Sequence, residues 1–149
     1  MSENKIIPYI ASVTAYNQDE SVNLEHTRLQ YRRIISKGGS IFCGGTNADF
    51  SGLMENERVR IVEVAVEEGG KNVIANAGLP STFATIKLAN MFVKAGSPAV
   101  AVITPYFISC SQDGLYSHYM RIADEVKCPV FIYNIPSFTH NRIEPETVK

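Results

Sequence analysis

Residues 73–103 read VIANAGLPSTFATIKLANMFVKAGSPAVAVI, and this stretch holds the pattern from which the rest of the chain can be read. Val73 to Ala77 is a short, largely aliphatic run, and Ser81 or Thr82 stands where a helix cap belongs. Leu88, Met91, Phe92 and Ala95 recur at the spacing that places them on one helical face, and Gly96 follows where a helix must stop. Ala99 to Ile103 is a second aliphatic run. Strand, helix and strand within about 30 residues make one βα step, and runs without polar alternation belong to parallel sheet covered on both faces.

The same step repeats on either side. Towards the start, Ile6 to Val13 predicts a strand, Asn23 a helix cap, and Leu24, Tyr31, Ile34 and Ile35 an apolar stripe that Gly38-Gly39 ends. Ser40 to Gly45 predicts the next strand, and Val59, Val62 and Val66 a helix closed by Gly69-Gly70. Towards the end, Ser111 caps a helix bearing Leu115, Tyr119, Ile122 and Val126, Pro129 to Ile135 is a fifth apolar run, and residues 144–149 resemble the first turn of another helix. The class is therefore α/β, and with no linker or charge block in the series, residues 1–149 are expected to belong to one domain. Two architectures fit. Five strands complete an open doubly wound sheet of the flavodoxin kind, whereas a (β/α)8 barrel needs about 250 residues and would here be represented by five of its eight units. Length favours the open sheet; a last helix without a body favours the barrel.

Composition removes several functions. Fourteen Lys plus Arg stand against 15 Asp plus Glu, a net charge of −1, which offers no attraction to nucleic acid or an anionic membrane. Hydrophobic residues are 45% and charged residues 19%, the balance of a globular domain. The polar start and the lack of a long apolar run predict neither secretion signal nor membrane span, hence a cytoplasmic protein. Cys43, Cys110 and Cys128 are odd in number and widely spaced, so they are read as small buried or half-buried thiols. His26, His118 and His140 lack metal-ligand spacing and are assigned surface or cap roles; no metal and no cofactor are expected. No nucleotide-phosphate loop and no G-x-S-x-G elbow occur, and Cys43 sits among apolar neighbours as an inert thiol.

In either architecture ligands bind beyond the carboxyl ends of the strands. The polar residues there are Thr14 and Tyr16, Gly45-Thr46-Asn47, Asn76-Ala77-Gly78, Thr104-Pro105-Tyr106-Phe107 and Tyr133-Asn134, and they predict a binding face rather than core. Gly44-Gly45-Thr46-Asn47 can form a nest of backbone N–H groups for a carboxylate or phosphate, or simply a tight turn. Tyr133 can shuttle a proton if Thr46 or Tyr106 lies beside it, or can cap the core with its hydroxyl in water. None of the seven lysines falls at a strand carboxyl end, where an imine-forming amine would have to lie.

Taken in order, four segments resemble the dihydrodipicolinate synthase and N-acetylneuraminate lyase family of pyruvate-dependent class I aldolases. They are Gly45-Thr46-Asn47-Ala48-Asp49-Phe50 in place of the family's G-T-T-G-E, Thr104-Pro105-Tyr106-Phe107, Ser111-Gln112-Asp113-Gly114-Leu115-Tyr116, and Tyr133-Asn134-Ile135-Pro136. The resemblance runs over essentially the whole chain. It implies the first five βα units of an incomplete (β/α)8 barrel, with the imine lysine on a sixth strand beyond Lys149, so that these residues alone would be inactive. It further implies that Gly45, Thr46 and Asn47 bind the carboxylate of pyruvate or another 2-oxo acid, and that Tyr106 lies against the substrate. Tyr133 would be the acid/base phenol, with Thr46 in its proton relay, and the assembly a homotetramer. Phe107 replaces the family's second Tyr, Asn47 its second Thr and Ala48 its Gly. Phe138 stands where the synthases carry a carboxylate-clamping Arg, and His140 where Gly is usual, which shifts the expectation towards a lyase or aldolase on another 2-oxo acid, such as a sugar-derived one. The competing expectations are a non-catalytic scaffold or interaction protein, and a flavodoxin-like binding module.

Overall fold

A computed structural model describes residues 8–149. Its strands are β1 (Tyr9–Ala11), β2 (Ser40–Cys43), β3 (Val73–Asn76), β4 (Val100–Ile103) and β5 (Val130–Tyr133), separated by helices α1 (Leu24–Ser36), α2 (Glu55–Gly69), α3 (Thr82–Lys94) and α4 (Gln112–Glu125). Two short helices follow, α5 (Pro136–Thr139) and α6 (Pro145–Val148). The strands pair in parallel in the order β1-β2-β3-β4-β5. A flavodoxin-like sheet reverses its order after the first strand so that helices cover both faces. Here each strand lies beside its predecessor, and right-handed crossovers then place every helix on one side. Accordingly α1 packs on α2, α2 on α3 and α3 on α4. The arrangement is an arc of a (β/α)8 barrel, and the open-sheet alternative is excluded.

Register separates the two faces of the arc. Ile41, Cys43, Val73, Ala75, Val100 and Val102 point outwards and join the helices in the main core, with Tyr31, Phe92 and Ile122 among its buried members. Phe42, Ile74, Ala101 and Tyr133 share the inner side, where they form a second, smaller cluster. The edges are thinly covered: Tyr9 and Ile10 on β1 are 42% and 44% exposed, and Phe131 and Ile132 on β5 are 48% and 41%.

Local chemistry explains the boundaries. The side chain of Asn23 accepts from the His26 N–H at 2.9 Å, and Ser81 and Ser111 cap α3 and α4 in the same way. Gly70, with φ +54°, stops α2, and position 69 is held to glycine because a Cβ there would lie 2.8 Å from Val73 Cγ2 and 2.9 Å from Ile41 Cδ1. The strands are shorter than the apolar runs because the ladder stops where the chain turns onto the rim; Ile6 and Ile7 lie outside the described residues. The four-residue α5 is too short to leave a helical period in sequence, and its one local signal is Pro136 at the first helical position.

Two sequence expectations need correction. Asn76 and Thr104, assigned to the binding face, are fully buried and serve as structural hydrogen-bonding groups. His118, assigned to a surface or cap, is 6% exposed, with Nδ1 2.8 Å from Thr82 Oγ1 and Nε2 without a partner. The cysteines conform: Cys43 is buried, Cys110 and Cys128 are half-buried, and burial pushes the Cys43 thiol up to about 12.

Phe92, fully buried at the centre of the core, gives the largest single-residue test. Phe92→Ala is expected to destabilise the chain by about 3–5 kcal/mol in urea unfolding. Burial holds the His118 imidazole below its ordinary pKa, so on acidification the unfolded chain binds that proton first. Stability is expected to fall as pH drops from about 7 to about 5.5, with a shallower slope in His118→Gln, read from urea midpoints across pH.

Candidate active site

The turn after β2 forms one wall of the site. Gly44 has φ +64°, which favours glycine, and a Cβ on Gly45 would press the Phe42 ring at 3.0 Å. The chain then closes a single 3-10 turn over Thr46–Ala48, with the Ala48 and Asp49 N–H groups donating to Gly45 O and Thr46 O at 3.1 and 3.2 Å. Among the described residues no hydrogen bond uses the N–H of Thr46 or Asn47. Behind the turn, Thr14 donates its hydroxyl to Ala48 O at 2.8 Å, and the Tyr16 hydroxyl lies 3.5 Å from Asp49. Both rim residues therefore buttress the turn.

Facing it, Tyr133 comes from the inner side of β5. Its hydroxyl lies 3.0 Å from Thr46 Oγ1, and its ring packs edge-on against Phe42 at 5.2 Å. Residues 87 positions apart are thus held as one hydroxyl pair. A cavity of about 290 Å³ adjoins them, lined by Thr46, Phe50, Ser51, Ile103, Tyr106, Phe138 and Thr139. Tyr106 lies edge-on to Phe50 at 5.8 Å, and burial raises its phenol pKa while the nearby Arg58 opposes that shift. Tyr106 reaches the cavity but makes no hydrogen bond to Thr46 or Tyr133 among the described residues. Asn47 is exposed at the rim, Gly45 is buried beneath it, and the lining carries three aromatic rings and no cationic side chain.

Sequence reasoning missed what holds this rim in place: it gave Asn76 to the binding face and passed over Arg58 and Asn141. Asn76 is the first: its Nδ2 donates to Gly44 O at 2.9 Å, and its Oδ1 accepts from the N–H of Gly78 and of Ile103 at 3.2 and 3.3 Å. One buried amide thereby ties together the ends of β2, β3 and β4. Arg58 is the second: it is 5% exposed and donates from Nη2 to Asn76 O at 2.9 Å, with its guanidinium 5.4 Å from the Phe50 ring centre and 5.9 Å from that of Phe92. Burial pulls its pKa down to about 10. A sequence signal existed, since Arg58 occupies the stripe of Ile61, Val62 and Ala65, where an apolar residue belongs. Asn141 is the third: its Nδ2 donates to Pro105 O and Ile108 O at 2.7 and 2.8 Å, and its Oδ1 accepts from the Cys110 N–H at 2.7 Å. These bonds bracket Phe107, which has φ +78° and is 93% exposed.

The model of the dihydrodipicolinate synthetase family matches residues 4–149. The chain belongs to that family. It is 37% identical over 139 residues to an uncharacterized DapA-like lyase of Halobacterium salinarum, covering 91% of this chain and 46% of that protein. It is 36% identical over 142 residues to a 4-hydroxy-tetrahydrodipicolinate synthase of Chlorobium phaeobacteroides, covering 93% and 48%. Among solved structures, the dihydrodipicolinate synthase of Acinetobacter baumannii complexed with pyruvate superposes with a TM-score of 0.89 at 29% identity, over 94% of this chain and 49% of that one. The chain thus spans about half the length of the curated relatives it matches, and its five strands correspond to the N-terminal part of the family barrel.

The hydroxyl pair is directly testable. Thr46→Val and Tyr133→Phe are each expected to cost about 1 kcal/mol in urea unfolding, with a coupling of about 0.5–1.5 kcal/mol in the double-mutant cycle.

Proposed function

We propose that this chain forms part of a Schiff-base lyase or aldolase acting on pyruvate or a related 2-oxo acid. The observation that carries the reading is the bond between Tyr133 and Thr46, which lines a cavity beyond the strand carboxyl ends. Family membership and the pyruvate complex of the Acinetobacter baumannii enzyme support the substrate class.

The chemistry assigns each group a task. An amine adds to the keto carbon to give a carbinolamine, whose hydroxyl leaves as water only if it receives a proton, and making or breaking the adjacent C–C bond requires another transfer. Tyr133 is positioned to move those protons, with the Thr46 hydroxyl as its relay partner. The N–H groups of Thr46 and Asn47 take the carboxylate, Gly45 lets it approach the main chain, and Tyr106 closes the far side of the cavity. Phe138, which also lines the cavity, favours a reaction partner other than one recognised by a carboxylate-clamping Arg at this position.

The reacting amine comes from outside these residues. Lys37, Lys71, Lys94 and Lys127 lie at helix ends or before strands, Lys87 is bonded to Glu55 on the surface at 3.2 Å, and Lys149 does not line the cavity. Lys5 is outside the described residues. This agrees with a chain that supplies five of eight βα units and is inactive alone.

Two measurements test this reading. Pyruvate is expected to shift the backbone amide resonances of Thr46 and Asn47, and borohydride reduction in its presence is expected to label none of the seven lysines in mass spectrometry. Labelling of any lysine would overturn the assignment of the amine, and unmoved amides would overturn that of the carboxylate.

A further inference from the structure

Arg58 presents a physical problem that the residue roles above leave unsolved. It is 5% exposed, its Nε has no hydrogen-bond partner, and none of the ion pairs among the described residues includes it. The carboxylate whose charge acts on it, Glu55, is paired with Lys87. An unpaired buried cation is costly, and an apolar residue would fill this position on α2 more cheaply. Among the described residues its one donated bond goes to Asn76 O, and the Asn76 side chain bonds Gly44 O, at the foot of the Thr46–Asn47 turn. Its guanidinium lies against Phe50, a wall of the cavity, and its charge acts on Tyr106, another wall.

We propose that Arg58 is a positioning residue whose missing counter-charge is the ligand's carboxylate: the buried guanidinium sets the field at the Thr46–Asn47 turn while its bond to Asn76 O holds that turn in place. The inference rests on the reading of the site as a 2-oxo acid site. It assigns carboxylate selectivity partly to a residue that never touches the ligand. Two bare N–H groups are a weak anion site in water, whereas a full charge acting through a dry protein interior is poorly screened. Stacking between Phe50 and Phe92 keeps the guanidinium from turning out to solvent, as Arg rather than Lys allows.

The test compares pyruvate with its neutral methyl ester, titrated into the isotopically labelled chain and read at Thr46 and Asn47. Wild type is expected to prefer the anion, and Arg58→Met, which fills the same apolar slot, is expected to lower that preference about tenfold while leaving ester binding in place. Arg58→Gln, which keeps an N–H donor for Asn76 O but removes the charge, is expected to lose the preference as Arg58→Met does. Equal losses for pyruvate and ester in Arg58→Met, or no loss, would show a packing role and overturn the inference while leaving the 2-oxo acid reading intact. If Arg58→Met does not fold, Arg58→Gln decides, because a neutral side chain that keeps an N–H donor for Asn76 O but retains the anion preference overturns the inference. Absence of any pyruvate response in wild type removes both.

Discussion

Everything in this chain depends on one constraint: each strand hydrogen-bonds to the strand before it, in parallel. Parallel neighbours need a crossover, crossovers turn right-handed, and a sheet that grows always in one direction collects its helices on one side. The other side is left to side chains from the strands themselves. Phe42 and Tyr133 can meet there only because the arc curves inwards, bringing β2 and β5 within reach across β3 and β4. The hydroxyl pair of Thr46 and Tyr133 is a product of curvature before it is a product of chemistry.

Curvature alone leaves the rim undefined, because loops beyond a strand end have no ladder to follow. Here the order comes from buried polar side chains. Asn76 replaces the missing ladder between β2, β3 and β4, and Thr104, Thr139 and Asn141 do the same between the β4 and β5 loops, where Thr104 Oγ1 donates to Thr139 Oγ1 at 2.7 Å. Buried amides and hydroxyls are tolerated only when their bonds are satisfied, so each removes the alternatives that a flexible loop would otherwise sample.

What could be read in the sequence follows this division. Helices and strands announce themselves through period and caps, and Asn23, Ser81 and Ser111 each act as the sequence suggests. Strand order has no such signature, and the choice between open sheet and barrel arc came from particular segments rather than from composition. Thr46 and Tyr133 were legible as a pair because both stand at strand ends. Asn76, Arg58 and Asn141 were not, since a polar residue at a rim looks the same whether it faces a ligand or a backbone carbonyl. Arg58 comes nearest to an exception, as a charge in an apolar stripe. His118 is a like case: it stands between Leu115 and Ile122 at helical spacing, so the apolar stripe already placed it on the buried face.

The bonding of Asn141 has a mechanical consequence. Because a single side chain grips the β4 loop at Pro105, Ile108 and Cys110 while belonging to the segment after β5, the two loops form one stiff bracket. Tyr106 and Phe138 stand on its opposite arms. The spacing of these two rings across the cavity is therefore fixed by one amide, and Phe107 projects from the tip of the bracket.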